Sequence, residues 1–508
     1  MDARTGQLKM NSVERLCARN HDKLHPDVRR PAFDRDKTGV GVVHLGVGAF
    51  MRSHIAEYED DALAAEGGDW AIAGVSLRYP DVRDRLGPQD NLYILGARNG
   101  PAESRRLIGS LRRMYVAPEN PGAVLLLLAD ERVRVITLTV TEKGYCLDPD
   151  SGELKLDDAD LRYDLEHPDR PRSTIGYLVG ALAARRESSS TPPTIVSCDN
   201  LPSNGARLRS AVLRFAREQT PALESWIGEN VAFPMTMVDR IVPATTAFDI
   251  AQNASAAGLH DEGYVKTEPF RQWVIEDVFC NERPAWEAGG ALFVNDVAPF
   301  ETAKLQLLNG PHSAIAYLGY LAGFDYVHEA LSDAMFNTFV RRMMTDDIAP
   351  VTPEPREMDH ATYIAELLKR FGNPALQHLT RQIAMDGSQK LPQRVLSTVR
   401  AQLGRGGPIA SLGLVVAAWM RYALGRDERG RAIEVSDPLA PKFAAIAAER
   451  LGDPAEIADR FLAIREVFGS DLPAQARFRS TVVESLRQLL EKGAADTVRQ
   501  FVRLDGRT

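Results

Sequence analysis

Short runs rich in β-branched residues alternate with helical patterns along residues 1–290, and no other feature limits the possible folds as strongly. The helical patterns include residues 174–186 and 204–218. Strands separated by helices usually pair in parallel, because the helix carries the chain back across the sheet. The alternation therefore predicts a largely parallel α/β sheet. The runs are GVVHLGVG, WAIAGVSLR, VRVITLTVTEKGY, TIVSCDN and VAFPMTMVDRIVP, and each ends in a polar cluster.

Beyond about residue 291 the strand signals fade and helical patterns replace them. They include AIAYLGYLAG, TYIAELLKRF, LGLVVAAWMRYALG, FAAIAAERL and TVVESLRQLLEKG. A chain of 508 residues also exceeds the size at which a single hydrophobic core stops growing. We therefore predict an α/β domain at residues 1–290 and a mainly α-helical domain at residues 291–508.

Composition narrows the choice of partner. The net charge is -8 and the charges of both signs are interspersed, which argues against a nucleic-acid surface and favours a small-molecule partner. The four cysteines have no CxxC spacing, so neither a disulfide framework nor a cysteine zinc site is indicated. The first 16 residues lack an apolar core of signal-peptide length, and the longest apolar stretches are too short to cross a membrane. We expect a cytoplasmic protein.

The segment VVHLGVGAFMRSH has the pattern of a strand, a glycine turn and a helix. Gly46 and Gly48 would allow a pyrophosphate to approach backbone N–H groups, with a helix from about Phe50 directing its dipole at the phosphates. The third glycine of the usual dinucleotide fingerprint is absent, since Met51 stands there. An ordinary strand-turn-helix is the alternative interpretation.

The run WAIAGVSL predicts the second strand, and a ribose-binding acid is expected after it. The first charged residue there is Arg78 and the first acid is Asp81. Asp81 on the ribose hydroxyls would favour NAD, whereas Arg78 on a 2′-phosphate would favour NADP. Both side chains are alternatively interpreted as solvated loop charges.

Residues 299–321, PFETAKLQLLNGPHSAIAYLGYL, concentrate polar side chains on one predicted helix. At about 100° per residue, Glu301, Lys304, Asn309 and His312 fall within an arc of about 140°. A buried lysine loses its charge readily and can act as a general base. Asn309 could then stabilise an alkoxide, His312 hold a hydroxyl and Glu301 pass the proton to water. Ordinary polar positions on a helix are the alternative.

Proline does not fit inside a regular helix, so Pro311 has two interpretations. Either the helix kinks there, or one helix ends at Asn309 and Gly310 and Pro311 begins the next.

Two further polar segments are candidates for ligand binding. Asn200 follows a predicted strand, where open α/β sheets bind ligands, although an Asp-Asn pair is commonly a turn cap. Arg381, Lys390 and Arg394, in RQIAMDGSQKLPQR, could bind an anionic or polyhydroxylated ligand. A solvated loop is the alternative for this second segment.

Several other chemistries lack their motifs. The sequence contains no YxxxK, HExxH, GxSxG or GxxxxGK[ST], which disfavours short-chain dehydrogenases, zinc alcohol dehydrogenases, α/β-hydrolases and P-loop NTPases.

Seven ordered motifs together resemble the long-chain mannitol dehydrogenase family, over nearly the whole chain from about Val42. That family contains mannitol 2-dehydrogenases, fructuronate reductases (D-mannonate oxidoreductases) and other polyol dehydrogenases. The motifs are HLGVGAF-x-R-x-H, TVTEKGYC, SCDN, FP-x-x-MVDRIVP, EPFRQWVIED, K-x-x-LLNG-x-HS and DGSQKLPQR.

The resemblance implies a metal-independent, NAD(P)-dependent oxidoreductase with a Rossmann-type N-terminal domain, a helical C-terminal domain and an active site between them. It makes Lys304 the general base and Asn200 and Asn309 the pair that stabilises the oxyanion. His312 would contact the substrate, and Glu301 would lie on the proton exit path. Asp239 and the cations Arg381, Lys390 and Arg394 would hold the substrate. The predicted cofactor residues are Gly46, Gly48, Ala49, Phe50, Arg52, Arg78 and Asp81.

Two departures from the family pattern are Met51, where His is common, and Pro311, where Ser is common. DGSQKLPQR and TVTEKGYC look more like the fructuronate reductases. A hexuronate carboxylate would also suit Lys390 and Arg394. We therefore expect interconversion of D-mannonate and D-fructuronate, with a mannitol 2-dehydrogenase or another polyol dehydrogenase as the alternative. A cofactor-binding sensor without chemistry is the non-enzyme alternative. Members of the family are often monomeric, so a monomer or weak oligomer is expected.

Overall fold

The chain divides into two compact units, the first ending at Val297 and the second beginning at Ala298. The computed structural model describes residues 13–148, 151–449 and 452–505. Residues 1–12, which carry most of the N-terminal stretch examined for a signal peptide, lie outside the described residues. Within the described residues no helix has both the length and the apolar character needed to cross a membrane.

The described residues of the first unit form twelve strands and nine α-helices. The strands are β1 Val28–Arg29, β2 Val40–Leu45, β3 Ala71–Ser76, β4 Tyr93–Asn99, β5 Ala102–Ile108, β6 Leu111–Val116, β7 Val135–Leu138, β8 Thr194–Ser197, β9 Thr236–Asp239, β10 Val265–Thr267, β11 Gln272–Glu276 and β12 Leu292–Val294. The helices are Ala49–Ser53, Ile55–Glu66, Asp81–Leu86, Pro121–Ala129, Ala159–Glu166, Thr174–Glu187, Asn204–Gln219, Pro221–Asn230 and Ala247–Ala257.

Five parallel strands form the central sheet, in the order β6-β3-β2-β7-β8. Numbered along the chain within this sheet, the order is 3-2-1-4-5, which is the doubly wound Rossmann order. β3, β7 and β8 are buried along their whole length, because helices cover both faces of the sheet. The predicted Rossmann-type α/β unit is confirmed.

Two smaller sheets complete this unit, in the orders β1-β5-β4-β10 and β12-β11-β9. The prediction was wrong for VAFPMTMVDRIVP: its strand β9 pairs antiparallel with β11, with Asp239 opposite Gln272. A run of buried apolar residues predicts a strand but not its partner. The later segment QWVIE was needed to identify that partner.

The second unit is helical, and none of its described residues lies in a β-strand. Its α-helices are Ala298–Ala303, Gly310–Ala314, Val327–Ser332, Ala334–Arg342, His360–Phe371, Thr380–Ile383, Gly387–Leu391, Ser397–Arg405, Ala410–Ala423, Ala440–Ala448, Pro454–Leu462, Arg465–Phe468 and Ala476–Asp505, the last broken at Gly493. In the part of this unit that the structure describes, four segments are π-helical: Lys304–Asn309, Ile315–Gly319, Met343–Ile348 and Pro392–Leu396. The predicted mainly α-helical C-terminal half is confirmed.

Candidate functional site

The turn after β2 requires glycine at one position and leaves open space at the next glycine. Gly46 has φ +94°, and a Cβ there would lie 2.2 Å from the carbonyl oxygen of Thr139. Gly48 is exposed, and a Cβ there would meet nothing within 4 Å. A ligand can therefore approach the backbone of this turn closely, as the glycine pattern predicted.

A buried histidine holds the turn in place. His44 Nδ1 lies 2.7 Å from the hydroxyl of Thr137, and Nε2 lies 2.8 Å from the hydroxyl of Thr139. Thr139 donates in turn to the carbonyl oxygen of Gly46 at 2.8 Å. Thr139 therefore accepts from His44 Nε2–H, and His44 Nδ1 accepts from Thr137. Burial lowers the pKa of His44 to about 3, so the ring is neutral.

A cavity of about 850 Å³ opens at the carboxyl ends of β2, β3 and β7. β2 and β7 are the strands between which the order of the doubly wound sheet reverses, and such sheets bind ligands at that point. The lining of the cavity includes Gly46, Gly48, Ser76, Leu77, Arg78, Asp81, Thr139, Val140, Lys143, Cys146, Tyr163 and Tyr177.

The predicted cofactor residues divide into two groups. Gly46, Gly48, Arg78 and Asp81 line the cavity, whereas Ala49, Phe50 and Arg52 do not belong to its lining. Ala49 and Phe50 are half-buried at the start of the helix Ala49–Ser53.

Arg52 and Met51 point into the protein. Arg52 is buried, donates to the carbonyl oxygen of Gly263 at 2.6 Å, and lies 5.7 Å from the ring centre of Tyr93. Met51 is completely buried in an apolar cluster. Both side chains therefore attach this helix to the unit's core.

Asp199 fixes the loop that follows β7. Its carboxylate accepts from the backbone N–H groups of Val140 and Thr141 at 3.0 and 2.9 Å and from the Tyr145 hydroxyl at 2.7 Å. Asp199 therefore holds a loop that is distant in sequence rather than capping its own turn. The adjacent Asn200 is exposed, just beyond the carboxyl end of β8.

Two residues that the sequence interpretation missed tie this region together. Asn204 donates to the carbonyl oxygens of Ser197, Asp199 and Thr236 and accepts from the Thr236 N–H, which joins β8 to β9.

Arg240, the second of these residues, is buried and pairs with Glu57. Arg240 also donates to the carbonyl oxygen of Glu268 at 3.0 Å. Arg240 follows Asp239, which is itself buried at the end of β9. In the sequence, the only signal for either residue was a polar side chain near the end of a strand.

In the second unit, the predicted base lies on a π-helical turn. The backbone is α-helical from Ala298 to Ala303 and π-helical from Lys304 to Asn309, where the Gly310 N–H donates to the Leu305 carbonyl. Residues five apart diverge by about 140° on an α-helix, but an i to i+5 hydrogen bond brings them to the same side. The π-helical turn therefore aligns Lys304 with Asn309 more closely than an α-helix would.

The interpretation of Pro311 as the start of a new helix is wrong, and a kink at this position stays a prediction. Asn309 and Gly310 keep helical backbone angles, and the chain continues into the helix Gly310–Ala314 without an end or a restart. A proline clashes with the carbonyl four residues earlier in a regular α-helix. The widened turn before Pro311 relieves that conflict.

His312 is buried beside an aromatic ring and a second histidine. Its ring centre lies 4.5 Å from that of Phe371 and 5.4 Å from that of His378. Burial, followed by the charges of His378, Arg394 and Arg370, lowers the pKa of His312 well below its usual value. His312 is therefore neutral and suited to a hydroxyl group.

The Asp-Gly-Ser turn is a rigid support for the cations that follow it. Asp386 has φ +55°, and a Cβ on Gly387 would lie 2.5 Å from Trp419 Nε1 and from the Tyr317 hydroxyl. Ser388 donates its hydroxyl and its backbone N–H to Asp437 at 2.6 and 2.8 Å.

Lys390 and Arg394 lie one turn apart beyond this support, across the junction of Gly387–Leu391 and Pro392–Leu396. Burial, followed by the charge of Arg394, lowers the pKa of Lys390. Burial also lowers the pKa of Arg394. Lys390 donates to the Met385 carbonyl at 2.6 Å. Arg381, on Thr380–Ile383, is exposed.

Glu301 lies one helical turn before Lys304, on Ala298–Ala303. No group of three or more His, Cys, Asp or Glu side chains that could hold a metal ion occurs at residues 13–148, 151–449 or 452–505.

Comparison with known families assigns both units. Residues 40–288 match the mannitol dehydrogenase Rossmann domain, and residues 296–490 match the mannitol dehydrogenase C-terminal domain. The chain belongs to the mannitol dehydrogenase family.

Several known proteins resemble the chain along almost its whole length. D-mannonate oxidoreductase of Escherichia coli (strain K12) is 43% identical over 93% of this chain and 97% of its own. The solved structure of Pseudomonas fluorescens mannitol 2-dehydrogenase, a ternary complex with NAD and D-mannitol, is 37% identical, covers 96% of this chain and 99% of its own, and has a TM-score of 0.81. A substrate-free D-sorbitol dehydrogenase structure is 31% identical, covers 95% and 100%, and has a TM-score of 0.90.

Proposed function

We propose that this mannitol dehydrogenase family member is an NAD-dependent oxidoreductase that interconverts D-mannonate and D-fructuronate. The proposal follows from the family membership, the 43% identity to a D-mannonate oxidoreductase, and the cation pair Lys390 and Arg394. The cation pair is the observation that distinguishes a sugar acid from an uncharged hexitol. Mannitol 2-dehydrogenase activity is the alternative, supported by the similarity to the mannitol 2-dehydrogenase structure.

The electrostatics of the cation pair favour an anionic substrate. Arg394 is half-buried, and its guanidinium makes no hydrogen bond with any residue in the described part of the chain. The neighbouring Lys390 carries the same charge, and Asp386 is 3.9 Å from its Nζ. Partly desolvated cations that repel each other are stabilised by a carboxylate, which also matches the planar geometry of guanidinium. The hydroxyl groups of mannitol or fructose supply no such charge.

The first unit's cavity suits the adenosine and phosphate portion of NAD. The open face of Gly48 and the left-handed Gly46 let a phosphate approach the backbone of this turn. When bound, NAD supplies the acceptor for the hydride that the substrate carbon loses on oxidation. We assign Gly46, Gly48 and the cavity residues Arg78 and Asp81 to holding it.

The chain's own residues supply the proton chemistry. In the direction of oxidation, we assign Lys304, in its neutral form, to accept the proton of the substrate's secondary hydroxyl. Asn200 and Asn309 donate hydrogen bonds to the same oxygen as its negative charge grows. The π-helical turn that aligns Lys304 with Asn309 supports a joint role at one atom.

The remaining assignments follow the same substrate. Glu301, one turn before Lys304, carries the proton from the lysine towards water. His312, kept neutral by burial, binds a substrate hydroxyl, and Asp239 binds another.

Because a pure cofactor sensor has no use for a lysine base and two amide donors, we favour an enzyme over that alternative. The four cysteines are all free, which supports our proposal of a cytoplasmic location, and we propose a monomer or weak oligomer.

The test is a direct comparison of substrates. NADH oxidation is followed with D-fructuronate, D-tagaturonate and D-fructose at equal concentrations. We expect kcat/KM for D-fructuronate to exceed that for D-fructose by about 100-fold or more, since one lost charged contact is worth at least that when buried. Preference for D-fructose would establish the mannitol 2-dehydrogenase alternative. NADH binding without turnover of any of the three would favour the sensor.

A further inference from the structure

Two histidine rings of the second unit pack against each other without hydrogen bonds to the protein. The ring centre of His378 lies 5.4 Å from that of His312, and the two ring planes meet at 82°. His312 Nε2 and His378 Nδ1 are both buried, and neither atom has a hydrogen-bond partner among the residues that the structure describes. A buried polar atom without a partner costs free energy unless a ligand or water satisfies it. Two such atoms on adjacent rings therefore indicate a polar ligand.

The backbone around His378 is held in an uncommon conformation. Gln377, just before it, has φ +45°, in the left-handed region that residues with a side chain rarely adopt. The His378 carbonyl oxygen accepts from the Val327 N–H at 3.0 Å, and Leu379 forms a β-bridge with Tyr326. Such strained backbone positions, fixed by their surroundings, cluster at ligand-binding sites. The loop thus fixes the position of the His378 ring.

The chemistry of the two rings suits a hydroxyl group rather than a carboxylate. Burial lowers the pKa of both histidines, so both rings are neutral. A neutral imidazole has one donor and one acceptor nitrogen, which a hydroxyl group matches. The charge of Arg394 lowers the pKa of His312 further, whereas burial is the cause for His378. His378 is therefore the more remote of the two rings from this cation.

We propose that His378 is a second substrate-binding histidine, which together with His312 holds a hydroxyl group of the substrate's carbon chain. This proposal rests on the proposed function, since it concerns the substrate of the same reaction. One hydroxyl group can donate to the acceptor nitrogen of one ring and accept from the N–H of the other. Lys390 and Arg394 remain for the carboxylate. His378 thus recognises the part of the molecule that a sugar acid and a neutral ketose share.

Substitutions of His378 separate substrate binding from packing. His378→Phe keeps an aromatic ring and removes both nitrogens. His378→Asn places a polar atom near the position of Nδ1, and His378→Gln places one near that of Nε2. His360→Phe is the matched control, because His360 is another buried histidine of this unit, and its Nε2 already donates to the Pro353 carbonyl oxygen at 3.2 Å.

The measurements are steady-state kinetics with D-fructuronate and with D-fructose, NADH binding and thermal unfolding. We expect His378→Phe to lower kcat/KM for both ketoses by a similar factor of about tenfold, the value of one hydrogen bond. The loss should lie mainly in KM, because the contact is made in the ground state as well as in the transition state. His378→Asn should recover more of the activity than His378→Gln. The NADH dissociation constant should not change.

Thermal unfolding distinguishes a binding residue from a structural one. The melting temperature of His378→Phe should not fall, because an apolar ring replaces one with an unpartnered buried nitrogen. His360→Phe should lower the melting temperature, because it breaks a hydrogen bond, and leave kcat/KM unchanged.

Unchanged kcat/KM in His378→Phe would overturn the proposal. So would a loss confined to D-fructuronate, which would place His378 at the carboxylate. A loss that accompanies a lower melting temperature and is not recovered in His378→Asn would show a structural role instead. If the wild type turns over neither ketose, the proposed function fails, and calorimetry with D-mannonate and D-mannitol then decides this proposal. Weaker binding of both in His378→Phe than in the wild type would support it, whereas equal binding, or no binding to the wild type, would overturn it.

Discussion

Gly310 lies so close to Arg394 that a Cβ on Gly310 would come within 2.8 Å of the Arg394 carbonyl oxygen. The helix that carries Lys304 and Asn309 thus meets the segment that carries Arg394 at backbone distance. The absence of a side chain at one position therefore sets the spacing between the proposed base and the proposed carboxylate-binding residue.

Gly310→Ala should separate these two segments. Because the clash is with backbone, we expect the free energy of unfolding to fall by about 1–3 kcal/mol. We also expect kcat/KM for D-fructuronate to fall by more than about tenfold, as misplaced groups lose catalysis steeply. Urea denaturation and steady-state kinetics measure both. Gly404→Ala is the matched control: it lies in the helix Ser397–Arg405 with nothing within 4 Å of a Cβ, and should stabilise by about 0.5–1 kcal/mol. Equal behaviour of the two variants would refute the spacing argument.

Arg394→Ala should distinguish an acid substrate from a neutral one. We expect kcat/KM for D-fructuronate to fall by about 100-fold and that for D-fructose to change by less than about threefold. Arg400→Ala, a few residues later and paired with Asp471, should alter neither. Equal losses on both ketoses in Arg394→Ala would remove the argument for a carboxylate.

Met51→His tests whether this departure from the family pattern affects the cofactor. The Met51 side chain is completely buried in an apolar cluster, and an imidazole there would lack hydrogen-bond partners. We expect the free energy of unfolding to fall by about 1–3 kcal/mol and the NADH dissociation constant not to tighten. A variant that binds NADH more tightly, at unchanged stability, would show that position 51 reaches the cofactor.

His44 should make stability depend on pH. Its pKa falls from about 6.5 in an unfolded chain to about 3 in the fold, so the unfolded state binds the proton more readily. The stability is therefore complete above pH 6.5 and declines as the pH falls from 6.5 towards 3.

Because of this single histidine, the free energy of unfolding should change by about 1.4 kcal/mol per pH unit. We expect His44→Gln, measured by urea unfolding between pH 6 and 4, to be less pH-dependent than the wild type by about that amount. Identical slopes would show that His44 is protonated in the fold.

The sequence predicted the architecture better than the direction of individual side chains. Alternating runs and glycine spacing were enough for the parallel sheet, the turn at Gly46 and Gly48, and the helical second half. Residue spacing could not predict that the Arg52 side chain points to the Gly263 carbonyl oxygen. In a helix this short, the spacing of residues does not distinguish the buried side from the exposed side. Nor could it predict that Asp81 is held by Arg85 rather than left free.

Backbone geometry explains the other differences. The arc predicted for Lys304 and Asn309 assumed 100° per residue, and the π-helical turn changes that angle. No simple periodicity of apolar residues in the sequence indicates a π-helical turn, although Pro311 indicated that a regular helix was impossible there. Asn204 and Arg240 were missed because their importance comes from partners distant in sequence.

The most direct test of the central claim is turnover by Lys304→Ala, with D-fructuronate and NADH at saturation and with NADH binding measured separately. We expect kcat to fall by about 10²–10⁴-fold, the usual value of a general acid-base group. The NADH dissociation constant should change less than about threefold, because no cofactor contact is assigned to Lys304. A kcat within about threefold of the wild type, in a variant that binds NADH normally, would contradict Lys304 as the group that exchanges the proton.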